Sequence, residues 1–296
     1  MVAIGALVAA ELARRDQTDA DLATLGIVLL VGAVAFVSGL VYTGIRQLRV
    51  RSVLPPERYR GPSVFVLLAL ALVVATVLSA PFTADALALQ SGEGELSLLG
   101  SAVILVATPA GLLIVGYLLV FRPRALAALP SLPVRDPLGA VLAGVGYGVL
   151  AWLGSSVVLV LVTAVLSALG QPPPVGPAQR AIAMLDPWLV VLAIVVIAPI
   201  AEELFFRGIV FNAWLRETGR VPAYVGSAAL FALIHLSLAS LLPIFLLGLA
   251  LAWVYERTGT LLAPIVMHAT VNGISVAAAL AFRFGVFDVP VGIMGW

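Results

Sequence analysis

The stretch Ala201-Glu202-Glu203-Leu204-Phe205-Phe206-Arg207-Gly208 lies inside an apolar run that begins at Trp188. Two carboxylates and a guanidinium therefore stand where the surroundings are hydrocarbon. Ionisable groups at such depth cost a few kcal/mol each even on lenient insertion scales, so they need partners or a task. If the stretch is helical, Glu203 and Arg207 are four residues apart and share a face. The acid is on the N-terminal side, the better order for an ion pair. Glu202 is rotated by about 100° from Glu203 and misses that partner, so it is the carboxylate free for chemistry.

Composition extends this reading to the whole chain. Of 296 residues, 62% are hydrophobic and only 10% are charged; the mean hydropathy is +1.16. A soluble domain carries about 25% charged residues, so the expected class is an all-α, polytopic membrane protein. There is no cysteine, which excludes disulfides, thiol catalysis and cysteine-bound metals. All 16 basic residues are arginine, and the formal net charge of +1 points to no nucleic-acid partner. Met1–Ala10 is apolar but short, lacks a basic leading region and runs into Glu11. It is expected to be neither a cleaved signal peptide nor a span.

A spanning helix needs roughly 20 mostly apolar residues, and the sequence predicts about eight. The expected spans are Leu22–Ile45, Pro62–Pro81, Leu96–Phe121, Pro137–Gly170, Trp188–Leu215, Val221–Leu238, Leu241–Tyr255 and Leu261–Phe282. Asp85, Glu93 and Glu95 are expected in the second loop, and the proline-rich Gln171–Pro177 is expected to be a loop. Arginines cluster in alternate loops, at Arg46, Arg49, Arg51, Arg58, Arg60, Arg122, Arg124, Arg135, Arg216, Arg220 and Arg257. The positive-inside rule puts those loops in the cytoplasm and both termini outside, in what is expected to be a prokaryotic plasma membrane. Residues 1–135 are read as N-terminal spans without a motif. Residues 136–296 are read as the catalytic core, with the motifs inside 188–282.

The two histidines of the chain, His235 and His268, both fall within these apolar spans, and Asn272 lies one turn beyond His268. At ~1.5 Å per residue, Glu202 is roughly 21 Å from the start of its span, His235 roughly 21 Å from its own, and His268 roughly 10 Å. The three can meet in one buried chamber. A lone intramembrane His or Asn is often only an interhelical hydrogen bond, worth about 0.6–2 kcal/mol, and a Glu–Arg pair is more often structural than catalytic. Two Glu, an Arg, two His and an Asn on three spans, with few other strong polar groups at that depth, outweigh those single readings.

A carboxylate beside an imidazole can take a proton from water and pass it on. A second His and an Asn supply donors for an oxyanion. The parts suit peptide hydrolysis by an activated water. The sequence holds no G-x-S-G, G-x-G-D or H-E-x-x-H motif. Zinc held by Glu202, His235 and His268 remains the mechanistic rival. Two other classes stay open: a non-catalytic immunity or scaffold protein, and a proton-coupled transporter. The lack of an internal repeat argues against the transporter.

Glu202-Glu203-Leu-Phe-Phe-Arg207, Phe231-Ala-Leu-Ile-His235 and His268-Ala-Thr-Val-Asn272 together resemble the CPBP family of intramembrane glutamic endopeptidases. That family includes the type II CAAX prenyl endopeptidases and the bacterial Abi, or bacteriocin-immunity, proteins. The resemblance covers about Trp188 to Phe282. It implies that Glu202 and His235 activate the water, that His268 and Asn272 hold the oxyanion, and that Glu203, Arg207 and Phe231 support them. It implies a metal-free reaction, with no cofactor. Its implied partners are membrane lipid and a peptide or protein substrate, lipidated or membrane-bound. The matched positions do not read the substrate.

Overall fold

Proline, serine and aspartate set the helix starts, and glycine sets the stops. The computed structural model describes residues 59, 61–91, 96–122, 136–170, 177–235 and 237–286. Every regular element among them is helical, and no strand occurs. Among the described residues, six helices are long and apolar enough to cross a membrane. The protein is all-α and polytopic. The chain divides into two compact units, Met1–Ala127 and Ala128–Trp296.

In the first unit, α1 (Val64–Ser79) runs through a single 3₁₀ turn into α2 (Thr83–Ser91), and α3 (Leu98–Gly116) ends in a π-turn at Tyr117–Phe121. Ser97 caps α3 by accepting from Gly100 N–H at 3.1 Å. A Cβ on Gly111 would sit 2.3 Å from the Ala71 carbonyl, so α1 and α3 touch backbone to backbone. Asp85, expected in a loop, lies in α2, because the apolar pattern continues past Pro81. The expected first span, Leu22–Ile45, and Glu93, Glu95, Arg124 and Arg135 lie outside the described residues.

The second unit begins with α4 (Pro137–Ala168), started by Pro137 and by Asp136, whose Oδ1 accepts from Gly139 N–H at 2.8 Å. It continues with α5 (Pro177–Met184), α6 (Pro187–Glu217), α7 (Arg220–Leu233), α8 (Leu238–Thr258) and α9 (Leu262–Arg283). Helix α4 presents Gly144 and Gly148 to α9. A Cβ on Gly144 would lie 2.7 Å from the Ala263 carbonyl, and one on Gly148 2.6 Å from Thr270 Cβ. One turn further, Trp152 Nε1 donates to Ser275 Oγ at 3.2 Å. Its other flank, with Leu142, Leu150, Val157 and Leu161, is an exposed apolar surface of the kind that lipid covers. Gly148→Val is expected to cost roughly 1–3 kcal/mol by overpacking this seam. The check is the thermal unfolding midpoint in detergent, and an unchanged midpoint would contradict the packing.

Two boundaries differ from expectation, and the caps explain both. The span expected over Val221–Leu238 stops at Leu233 and has 14 residues, too few to count with the six. The next, expected over Leu241–Tyr255, starts at Leu238. Ser237 accepts from Ser240 N–H, and Gly259 closes the helix at φ +65°, where a side chain would be strained. Hence His235, expected late inside a span, sits in the turn after α7.

Candidate functional site

The site is built on α6, which is not a uniform α-helix. It carries two π-helical stretches, Val191–Ile197 and Leu204–Phe211, on either side of the turn Ala198–Glu203 that holds both glutamates. Such widened turns recur at functional sites. In the first, Ala198 N–H bonds Ala193 O, five residues back. Pro199 has no N–H to do the same for Ile194 O. Asn272 of α9 supplies the missing donor, Nδ2 to Ile194 O at 2.9 Å. In the second stretch, Asn212 Nδ2 donates to Arg207 O at 2.7 Å and to the Tyr255 hydroxyl at 2.7 Å.

Glu203 and Arg207 are fully buried and joined, Nη1 to Oε1, at 2.8 Å. Nη2 of Arg207 donates to the Gly248 carbonyl of α8 at 2.9 Å, and its guanidinium lies 4.7 Å from the Phe231 ring centre. The pair predicted from spacing is present. It also reaches a residue that spacing does not show. Nδ1 of His268 lies 3.0 Å from the same Glu203 Oε1. A carboxylate accepts, so Nδ1 carries the proton there.

Glu202 is buried at 8% exposure, and its Oε2 has no hydrogen-bond partner among the described residues. It faces Nε2 of His268 at 3.9 Å. It is His268, and not His235, that comes within ion-pair distance of Glu202. His235 is half-buried, and its Nδ1 lies 2.7 Å from the Phe231 carbonyl. A carbonyl only accepts, so Nδ1 is the donor, and Nε2 of the neutral ring keeps its lone pair. This bond exists because α7 ends at Leu233: Phe231 O is one of the last carbonyls of the helix, and the imidazole takes the place of a missing backbone N–H. The Phe231 ring meets both imidazoles edge to face, with centroids 4.9 Å from His235 and 5.5 Å from His268. Phe231 is thus the common neighbour of His235, His268 and Arg207.

The structure therefore gathers Glu202, Glu203, Arg207, Phe231 and His268 directly, holds His235 against Phe231, and ties Asn272 to α6. The sequence reading missed the carbonyls of Gly248 and Ile194, and only the proline at 199 hinted at the second. Among the described residues, no group of three or more His, Cys, Asp or Glu is arranged to hold a metal ion. The donors proposed for zinc, Glu202, His235 and His268, do not form a ligand set as placed.

Residues 184–274 match the family described as type II CAAX prenyl endopeptidase Rce1-like. "UPF0177 protein YxdF" of Lactococcus lactis subsp. lactis is 33% identical over 78 residues, which are 26% of this chain and 42% of that protein. "Putative membrane peptidase YdiL" of Bacillus subtilis is 32% identical over 84 residues, 28% of this chain and 34% of that protein. The alignments thus span less than half the length of these curated relatives. No solved structure matches the chain. The segment that builds the site is similar to the Rce1-like type II CAAX prenyl endopeptidases, the group within the family that the motifs of Glu202, His235 and His268 resemble.

Proposed function

We propose that this chain is a membrane-embedded endopeptidase that cleaves a peptide bond with an activated water. The observation that carries this reading is a buried acid with an unpartnered oxygen, Glu202, facing an imidazole inside apolar helices. Glu203 also leaves an oxygen, Oε2, without a partner, but its Oε1 is held by both Arg207 and His268, whereas neither oxygen of Glu202 makes a hydrogen bond among the described residues.

Glu202 and Nε2 of His235 hold the water from two sides, and Glu202 takes its proton as the oxygen attacks the substrate carbonyl. The same proton then goes to the leaving amine. His268, oriented by the bond from its Nδ1–H to Glu203, turns Nε2 toward Glu202 and helps hold the oxyanion. Asn272 keeps its second amide hydrogen for the same oxyanion, because among the described residues its amide donates to Ile194 O alone. Glu203, Arg207 and Phe231 fix these groups. The reaction needs no metal in this scheme. Its substrate is a membrane-associated peptide or protein, and its Arg-rich loops face the cytoplasm.

The test is cleavage by the purified full chain in lipid vesicles carrying membrane peptides, with new termini read by mass spectrometry. Activity is expected to survive exhaustive chelation. Loss with phenanthroline and recovery with zinc would replace the scheme with a metal-assisted one. No cleavage of any membrane peptide, with the protein folded, would favour the non-catalytic reading.

A further inference from the structure

The start of α7 and the end of α8 form an open surface cavity of about 190 Å³ lined by Arg220, Trp253, Glu256 and Arg257. None of these residues belongs to the proposed reaction. The charges within the cavity do not cancel. Arg220 binds Glu256 through Nε at 3.1 Å and Nη2 at 2.7 Å, and the Tyr224 hydroxyl donates to the same Glu256 Oε2 at 2.6 Å. All three donors converge on that one oxygen, and the Arg220 charge offsets that of Glu256. Arg257 is exposed and lies 5.4 Å over the Trp253 ring, and among the described residues it pairs with no carboxylate. The cavity wall therefore carries one uncompensated positive charge.

Two further features favour an anion there. Arg220 is the first residue of α7, a 14-residue helix whose N-cap, Gly219, has no side chain to bond the first-turn N–H groups. That helix end adds a partial positive charge beside the cavity. Trp253 is 40% exposed, and its ring meets Tyr147 of α4 edge to face at 5.2 Å. An exposed Trp packed on a half-buried Tyr of a neighbouring membrane helix, next to arginines at the helix ends, marks the headgroup level of a bilayer. The cavity is smaller than the 300 Å³ or more of drug-sized ligand pockets, which suits a single headgroup.

We propose that this cavity binds the phosphate of an anionic phospholipid, with Arg257 as the free cation and Trp253 as the platform against the glycerol and upper acyl chain. The tryptophan and its lipid-facing position select a lipid over a free phosphate ion.

The experiment uses the purified full chain in nanodiscs of phosphatidylcholine, with or without phosphatidylglycerol, and native mass spectrometry to count retained lipid. One phosphatidylglycerol is expected to stay bound. Arg257→Gln is expected to weaken its retention roughly fivefold, the effect of about one interfacial arginine. Trp253→Ala is expected to weaken it as well. Arg122→Gln, an exposed arginine at the end of another helix, is the control and is expected to change nothing. Equal losses with Arg122→Gln and Arg257→Gln would show diffuse surface charge and overturn the site. So would equal retention of both lipids, or displacement of the lipid by millimolar inorganic phosphate. Normal unfolding midpoints for the variants separate lost binding from lost folding.

Discussion

Glu202→Gln is expected to abolish peptide cleavage and to leave the protein folded. The two amino acids have nearly the same shape, and Oε2 of Glu202 has no hydrogen-bond partner to lose among the described residues. The approach to His268 Nε2, at 3.9 Å, is longer than a hydrogen bond. What the substitution removes is the ability to take a proton. A general base contributes typically 10²–10⁴-fold, so turnover should fall at least about 100-fold. The measurement is the cleavage rate in vesicles beside the thermal unfolding midpoint. Unchanged turnover would reject Glu202 as the base. A midpoint that falls with activity would mean that Glu202 holds the helices together instead.

Arg207→Ala should produce the opposite pattern: little folded protein, whatever its activity. The guanidinium is fully buried, with bonds to Glu203 and to the Gly248 carbonyl and a ring beneath it. Its loss strands Glu203, itself 0% exposed, as an uncompensated charge. Removing one partner of a buried pair costs about 3–5 kcal/mol, a large part of the 5–15 kcal/mol that holds a typical domain together. The double variant Arg207→Met with Glu203→Gln removes both charges and should recover much of the yield. Size-exclusion yield and unfolding midpoint report both. Normal yield for Arg207→Ala would contradict the buried-pair account. Glu202 and Glu203 are adjacent in the chain, and these two experiments separate them.

The Glu203–Arg207 bond was legible in the sequence because four residues make one helical turn, a local rule. Its extension to His268 was not, because 65 residues separate Glu203 from His268 and only the packing of α9 on α6 brings them together. His235 shows the same limit. The pattern Phe231-x-x-x-His235 reads as two residues on one helical face. In the structure the helix has already ended, and the side chain bonds a carbonyl that the missing turn left free. The serine that starts α8, Ser237, was hidden in an apolar run, which moved the expected boundary by several residues. Gly144 and Gly148 are equally silent in sequence: small residues reveal a seam only when the partner helix is known.

By itself the sequence determined the solvent and the class. A chain so apolar, cut by charged loops, has to satisfy its backbone inside helices, since no water is there to do it. It also determined which side chains were too costly to be idle, because the cost of a charge in hydrocarbon does not depend on the fold. Tertiary structure alone decided which imidazole meets which carboxylate. It also decided that Asn272 repairs the carbonyl left open by Pro199. Those outcomes depend on helix ends, π-turns and the close approach made possible by glycine, and each is set by contacts between residues far apart in the chain.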